Sequence, residues 1–506
     1  MLLSAAALAL VTCGGGGSAE ADAQTQSQLA EPQQVTAEAL RSAVSDERVQ
    51  RFYEARNWSP AWTGERAGAL LEALGRAERH GLDRSMFLDG DVQGAPADPA
   101  RREAALTRAA LAYADALADG YADPEQIRDV FTLARPSVDV VAGLNQAIEG
   151  GNVREWLEGL APSDAAYRAL SEAYVRYRQE AARGQGPNIG SGELIREGDQ
   201  DPRVPQIIEA LRANGYLSGS GPGGTTYTAE VAAAVERMQQ DFGIAADGIV
   251  GPDTLEVLNT GAAERARQLA VNLERRRWLE REPPATRIDV NTAAAHLVYW
   301  RDGERTDRRK VIVGQPDWET PQLGSPIFRL VANPTWTVPK SIEREEIAPR
   351  GESYLRRNNM VRRDGWIVQL PGPENALGEV KFDMRNDQSI YLHDTPAKHL
   401  FERNQRHFSH GCVRVEDALG FARMLAEHDG KLAEFERALA SGEETFIDLD
   451  RNIPVRLVYH SVFVEEGGTI VFRTDAYGWD EDVAEALGLD RRQRRTVQTH
   501  VSDVGP

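Results

Sequence analysis

The sequence has little cysteine, no long apolar run and a shortage of positive charge. Only two cysteines, Cys13 and Cys412, occur in 506 residues, so disulfides do not stabilise the body of the protein. Residues 2–11 are apolar, which is too short for a helix that crosses a bilayer. The net charge of -20 argues against nucleic acid or an anionic membrane surface as the main partner, because both need clustered positive potential.

The N-terminus is typical of an export signal (residues 1–23) followed by a flexible tether (residues 24–45). The first basic residue is Arg41, so the positively charged start of such a signal is missing and we expect it upstream of Met1. Two ways of processing remain open. Residues 10–13 resemble a lipobox that would place a lipid on Cys13, whereas the small residues around Ala21 favour ordinary cleavage.

The remaining chain divides by its hydrophobic pattern into a helical half and a β-rich half. Leu106, Ala110, Tyr113 and Leu117 share one helical face, and strand patterns begin after residue 286. We predict a multidomain α+β protein. Its parts are a helical domain (46–183), a linker (184–193), a three-helix unit (194–260), a returning helix (261–285), a β-rich domain (286–480) and a C-terminal tail (481–506).

Four aromatic residues lie close together near the start of the helical domain. Phe52, Tyr53, Trp58 and Trp62 are expected to be core or interface anchors, with a sugar-binding platform as the alternative. The three-helix unit resembles the small peptidoglycan-binding domain of wall enzymes in residues 196–199, 215–217, 234–235, 239, 247–248 and 258–259. Its glycines are needed for turns whatever the unit binds. That resemblance therefore implies a fold more securely than a ligand.

Chemistry is concentrated around Cys412. Five of the nine histidines fall nearby, at positions 393, 399, 407, 410 and 428. A cysteine nucleophile needs a neighbouring base or positive charge to form the thiolate, and imidazole can act as both. Gly411 allows close approach of the backbone to a substrate carbonyl, and a helix from about Glu416 would add a favourable dipole.

The motif around these residues resembles that of the L,D-transpeptidases, which have the YkuD-like fold. In that family a histidine on a strand end is followed about twenty residues later by Ser-His-Gly-Cys-x-Arg, and here His393 and Cys412 are 19 positions apart. Residues 333–339, 341–342, 371–378 and 381–382 resemble the large Gram-negative type of this family. The resemblance implies a lid over the site at about residues 341–369, and a location in the periplasm or elsewhere in the cell envelope.

The resemblance also implies a role for each residue of the motif. Cys412 would be the nucleophile and His393 the general base, while His410 and Gly411 would shape the oxyanion hole. Three residues would support the site: Ser409, Asp394 and Arg414. Asp394 would orient His393 through its carboxylate or its backbone carbonyl, and Arg414 would fix the loop or meet a substrate carboxylate. The substrates implied are donor and acceptor stem peptides of peptidoglycan, joined by 3→3 cross-links without a cofactor.

Other interpretations of these residues remain open. Cys412 could be inert packing, or a zinc ligand together with His393, His399, His407 and His410, although the spacings match no familiar ligand pattern. His399 and His407 are expected in exposed loops. The same catalytic site could serve an L,D-carboxypeptidase in which water replaces the acceptor amine. A non-catalytic protein that anchors to peptidoglycan is the third alternative.

Overall fold

The structure is a computed structural model that describes residues 35–88, 90–93, 98–184, 187–219, 223–490 and 505. The predicted export signal, its missing positive start and the alternatives at Cys13 lie outside these residues. Among the described helices, none is both long and apolar enough to cross a membrane. The fold is multidomain α+β, with helical N-terminal units followed by a β-rich C-terminal domain.

The helices of the N-terminal half form a bundle with one extensive core. These helices are α1 (Ala37–Ala43), α2 (Glu47–Ala55), α3 (Gly64–Gly75), α4 (Gly90–Gln93), α5 (Pro99–Ala118), α6 (Pro124–Ile127), α7 (Val140–Gly150), α8 (Val153–Leu160) and α9 (Ala165–Ala181). The predicted face of α5 is fully buried. Phe52 and Tyr53 are also buried, and the Tyr53 hydroxyl and Trp62 indole both hydrogen-bond to Thr107 Oγ1. The aromatic cluster is therefore part of the core rather than an exposed sugar platform.

Four further helices follow the linker. They are α10 (Val204–Ala213), α11 (Ala229–Phe242), α12 (Pro252–Leu258) and α13 (Ala262–Arg277). The first three form the small unit, whose Gln239 side chain ties the loop at Asp247 and Gly248 to α11. The returning helix was predicted over residues 261–285, but α13 ends at Arg277, and Trp278 then packs into the core of the bundle.

Helix α13 joins the bundle to the β-rich domain through buried polar contacts. Arg277 and Glu274 form a fully buried ion pair, and Arg277 also donates to Tyr167 Oη and His80 O. On the other side, Asn272 donates to Ser461 Oγ (2.8 Å) and Arg275 pairs with Asp480. Buried charges persist only where they are paired, so these contacts hold the two halves in one arrangement.

The β-rich domain is built on a nine-stranded sheet within the described residues. Its strands are β1 (Arg287–Asn291), β2 (His296–Arg301), β3 (Glu304–Gly314), β4 (Gly324–Ala332), β8 (Val380–Met384), β9 (Leu392–His393), β10 (His407–Ser409), β11 (Val413–Val415) and β12 (Thr445–Val458). The order is β10-β3-β11-β9-β8-β4-β12-β1-β2, and β2 also pairs with β3. Helices α16 (Ala418–His428) and α17 (Leu432–Ser441) pack on this sheet, and their apolar faces join its core.

Between β4 and β8 the chain forms a smaller layer, which we call the lid. It contains β5 (Trp336–Thr337), α14 (Lys340–Ile342), the helical turns Glu343–Ile347 and Ala348–Arg350, α15 (Glu352–Arg357), β6 (Met360–Arg363) and β7 (Trp366–Gln369). The lid has a core of its own around Trp336, Ile347 and Ile367. It is therefore a separate packing unit attached to the main sheet.

The chain after β12 does not run on as one strand. Strand β12 ends at Val458, and a separate hairpin follows from β13 (Val462–Val464) and β14 (Ile470–Phe472). Helix α18 (Trp479–Ala486) then packs against α13, so the region predicted as a C-terminal tail begins with a buried helix.

Candidate active site

Two neighbouring parallel strands bring the motif residues together. Strand β11 pairs with β9 so that Val413 lies beside Leu392 and Arg414 beside His393. Leu392 and Val413 are fully buried in the sheet core. Because side chains alternate between the faces of a strand, the flanking pairs point to the opposite face. That face presents Tyr391 and His393 from one strand and Cys412 and Arg414 from the other.

His393 is held as a neutral base. Its Nδ1 lies 2.5 Å from the backbone carbonyl of Asp394, which can only accept, so Nδ1 carries the hydrogen. Nε2 is buried and has no hydrogen-bond partner among the described residues. Burial, with the nearby charge of Arg414, lowers the pKa of His393 well below its ordinary value. The ring therefore presents an unprotonated Nε2 on the side away from Asp394.

The carbonyl rather than the carboxylate of Asp394 orients His393. The carboxylate is turned away, where it pairs with Lys398 and accepts from the Glu379 backbone N–H (3.1 Å). The sequence left open whether the carboxylate or the backbone carbonyl of Asp394 contacts His393, and in the structure it is the carbonyl.

The surroundings of the Cys412 thiol disfavour the thiolate. It is 5% exposed, and Sγ lies 3.7 Å from the Ser389 carbonyl. Burial raises the pKa of Cys412 to about 11, although hydrogen bonds from Tyr391 and the charges of Lys381 and Arg414 act in the opposite direction. Of the two roles expected for imidazole, a positive charge beside a thiolate or a base for a neutral thiol, these pKa directions favour the base, with thiol and imidazole both neutral at rest.

The turn that carries the thiol is fixed by its own polar groups. Ser409 is fully buried, and its hydroxyl donates to the Cys412 carbonyl and accepts the Gly411 N–H (3.3 Å). Gly411 has φ +110°, a conformation that a side chain disfavours, which explains the glycine at this position. The resting loop thus uses the Gly411 amide internally, and the amide is not a free oxyanion donor.

The expected helix dipole does not act on the thiol. Helix α16 begins at Ala418, and the whole of β11 separates it from Cys412. The influence of a helix terminus falls off within about one turn. The prediction that this helix activates the cysteine is therefore wrong.

Residues that are not part of the motif also lie at the site. The Tyr391 hydroxyl and backbone N–H both hydrogen-bond to the thiol, and Lys381 Nζ lies 4.2 Å from the centre of the Tyr391 ring. A cavity of about 290 Å³ beneath the lid is lined by Arg414, Tyr354 and Gln369, among others. Tyr391 stands two positions before His393, so strand alternation could have identified it.

The remaining histidines near the motif serve different purposes. His410 contacts Glu346 of the lid and the Gly505 carbonyl. His399 is exposed, as predicted. His407 is buried on β10 against the Tyr477 ring, with Nε2 3.1 Å from the Thr292 carbonyl, so its predicted exposure is wrong. Within the described residues, no three His, Cys, Asp or Glu side chains are grouped to hold a metal ion.

Comparisons with known proteins cover most of the described chain. Residues 285–437 match the L,D-transpeptidase catalytic domain (YkuD), residues 47–173 a scaffold domain, and residues 200–258 a domain described as "Putative peptidoglycan binding domain". A Haemophilus influenzae protein described as "Putative L,D-transpeptidase" is 31% identical over 220 residues, which cover 39% of this chain and 45% of that protein. The matched region therefore spans less than half the length of that relative.

Solved structures of L,D-transpeptidases also resemble the chain. One from Stackebrandtia nassauensis is 16% identical and covers 56% of this chain and all of its own, with a TM-score of 0.23. One from Mycobacterium smegmatis is 11% identical and covers 34% of this chain and 58% of its own, with a TM-score of 0.20.

Proposed function

Since this chain belongs to the L,D-transpeptidase family, whose catalytic, scaffold and peptidoglycan-binding domains it contains, we propose that it cross-links peptidoglycan stem peptides through a thioester on Cys412. The observation that carries the proposal is the shared strand face, on which a buried thiol and a neutral imidazole lie on adjacent strands. Nucleophilic catalysis by cysteine needs a base that can reach the thiol, and His393 is the candidate on the neighbouring strand.

In the first half of the reaction the thiol is activated only when it attacks. His393 Nε2 takes the proton from Cys412 as sulfur adds to the carbonyl of the third residue of a tetrapeptide stem. The tetrahedral adduct then collapses, the bond to the terminal D-alanine breaks, and its amine leaves with the proton from His393. A neutral pair suits this step, since the proton moves within a buried site and no charged resting state is needed.

In the second half the thioester is resolved by an amine. The side-chain amine of an acceptor stem attacks the acyl carbon and passes a proton to His393, and the Cys412 thiol is regenerated as the new amide forms. The product is a 3→3 cross-link. We assign to Tyr391 the hydrogen bond that supports the departing thiolate, because its hydroxyl contacts the sulfur. Arg414, which lines the cavity under the lid, would meet a carboxylate of the donor stem.

The other domains would bring the site to its substrate. The unit at residues 200–258 would bind peptidoglycan, and the protein would act in the cell envelope or periplasm after export, with or without a lipid on Cys13. The catalytic, scaffold and peptidoglycan-binding matches support this placement. The partners proposed are thus the donor and acceptor stems, without a cofactor.

Mass spectrometry of purified tetrapeptide muropeptides incubated with the protein tests the proposal. We expect an acyl-enzyme adduct on Cys412 and dimers whose fragmentation shows a 3→3 link, with neither in Cys412→Ala. Tripeptide monomer without dimer at any acceptor concentration would make the protein an L,D-carboxypeptidase. Unchanged tetrapeptide together with binding to sacculi would leave only the anchoring role.

A further inference from the structure

His410 is clamped between the catalytic loop and the lid. Its Nε2 lies 2.5 Å from Glu346 Oε1, in the lid turn Glu343–Ile347, and its Nδ1 lies 2.7 Å from the carbonyl oxygen of Gly505. The ring packs edge-on against Trp318, with centroids 5.2 Å apart, and its side chain is 8% exposed. Contacts on both nitrogens and on the ring leave it one orientation.

These contacts determine where the hydrogens of His410 lie. A carbonyl oxygen can only accept, so Nδ1 must carry a hydrogen. The close approach of Nε2 to a carboxyl oxygen also requires a proton between those two atoms. Whichever of the two groups holds that proton, the Nδ1–H is directed away from the lid and toward the bound carbonyl. Glu346 thus fixes the plane of the ring so that the Nδ1–H faces this carbonyl.

The group that receives this hydrogen bond is a peptide carbonyl. Gly505 is buried next to Arg414, since a Cβ built on it would lie 3.1 Å from Arg414 Nη2. It also lines the cavity of about 290 Å³ beneath the lid, together with Arg414 and Tyr354. A backbone carbonyl therefore fits this position, and a stem peptide that takes the place of Gly505 would present the same group there.

We propose that Glu346 is a positioning residue, which holds His410 so that its Nδ1–H donates to a backbone carbonyl of the bound stem peptide. The proposal rests on the function proposed above and deepens it. The lid supplies Glu346 and the loop before β11 supplies His410, so a contact between the lid and this loop holds the donor in its orientation. Through this contact the lid acts on the bound peptide.

The matched variants are Glu346→Ala and Glu345→Ala. Glu345 is the neighbouring acid, half-exposed and paired with Arg344 at 2.7 Å, away from the site. A donor that is no longer held in place loses its hydrogen bond to the stem, so Glu346→Ala should slow acylation of Cys412 by a tetrapeptide about 10-fold. Glu345→Ala should stay within roughly twofold of wild type. Glu346→Gln should recover part of the loss, because an amide N–H can donate to Nε2 and leave the hydrogen on Nδ1.

A second readout separates positioning from damage to the lid. Methyl methanethiosulfonate modifies thiols without a peptide carbonyl, so its rate at Cys412 should be the same in Glu346→Ala and Glu345→Ala. Equal acylation rates in these two variants would overturn the proposal. So would a loss of thiol modification as large as the loss of acylation, because Glu346 would then act through the packing of the lid.

Nitrogen-15 NMR of the imidazoles keeps the test independent of catalysis, with His410→Asn to assign the signals. We expect a protonated Nδ1 on His410 in wild type, because the Gly505 carbonyl accepts its hydrogen, and a changed Nε2 signal in Glu346→Ala, because that nitrogen has lost its partner. An identical His410 spectrum in both would refute the positioning role. Wild-type protein that shows the expected spectrum but forms no thioester would instead refute the proposed function and leave the Glu346–His410 pair standing.

Discussion

The strand pair and the lid contribute to the candidate site in different ways. Strands β9 and β11 are anchored by Leu392 and Val413 in the main core, so Cys412 and His393 are fixed by the largest packing unit of the domain. The lid has a small core of its own, and Glu346 lies on its polar side. We therefore expect the positions of Cys412 and His393 to depend on the stability of the main core, and the lid to open separately from that core.

Cys412→Ala is the most severe test of the strand pair. We expect no acyl-enzyme and no cross-linked product, because the only proposed covalent catalyst is gone. The fold should persist, since the change removes one buried atom. Mass spectrometry of the protein after incubation with tetrapeptide, with a thermal melt as the control, measures both. Product formed by a folded alanine variant would rule out the thioester.

His393→Ala should have the next largest effect. General-base catalysis contributes about 10²- to 10⁴-fold, and the neutral Nε2 is the proposed acceptor for the thiol proton. Asp394→Asn is the matched control, because the backbone carbonyl orients the ring, and we expect it to change the rate by only a few-fold. Acylation rates measured in stopped reactions compare the two variants with wild type. A loss in Asp394→Asn as large as in His393→Ala would return the orienting role to the carboxylate.

The pH dependence of thiol alkylation tests the neutral resting pair. Burial raises the pKa of Cys412 to about 11, so the thiolate is scarce near neutrality and becomes abundant only as the pH rises toward that value. Iodoacetamide reactivity of the folded protein should still be rising at about pH 9, where an ordinary thiol with a pKa of about 8.5 is levelling off. At pH 8 the folded thiol should react roughly 10²-fold more slowly than the urea-unfolded one. A plateau below pH 7 would instead indicate a thiolate paired with a charged imidazole.

Tyr391→Phe should have a smaller effect, because the ring and its packing remain and only one hydrogen bond to the sulfur is lost. A net hydrogen bond is worth about 0.5–1.5 kcal/mol, so we expect acylation to slow by about 2- to 10-fold. The alkylation profile should also move to higher pH, because this contact favours the thiolate. An unshifted profile would show that the hydroxyl does not act on the sulfur.

One truncation to alanine in each core tests whether the main sheet and the lid are separate packing units. Leu392→Ala in the main core should lower the free energy of unfolding by about 2–5 kcal/mol. Ile347→Ala in the lid core should leave the main melting transition nearly unchanged and raise the KM for the donor stem by a few-fold. Calorimetry measures the melting transition of each variant, and titration with the donor stem measures its KM. A similar fall in the main transition for both variants would show that lid and sheet unfold as one unit.

Much of the strand pair could be predicted from the sequence, and little of the lid. The motif at residues 409–414 is contiguous, and alternation along a strand explains why Tyr391 and His393 share a face. The sequence did not decide between the two roles of the imidazole, because burial is set by tertiary packing, which outweighs the neighbouring charges at Cys412. His407 was misjudged for the same reason, since its contact with Tyr477 joins residues that are distant in sequence.

The contact of Glu346 with His410 could not be foreseen, because the two residues are separated by 64 positions and no local pattern links them. The end of α13 was also missed. Trp278 follows the last residue of the helix and packs into the helical bundle. Periodicity predicted the presence and type of this element, whereas its end depends on tertiary contacts.

The parallel pairing of β9 and β11 has a consequence for how this domain can diverge. The connection between His393 and Cys412 passes through the turn Lys398–Glu402 and strand β10, and its length is not what aligns the two side chains. Alignment depends on whether each residue occupies an odd or an even position along its strand. Insertions around the partly exposed Asn404 should therefore be tolerated, whereas one residue added between Cys412 and Val413 would turn the thiol away from the face that His393 occupies. We therefore expect the number of residues between His393 and Cys412 to vary between relatives, whereas the face of the sheet on which each residue lies should not change.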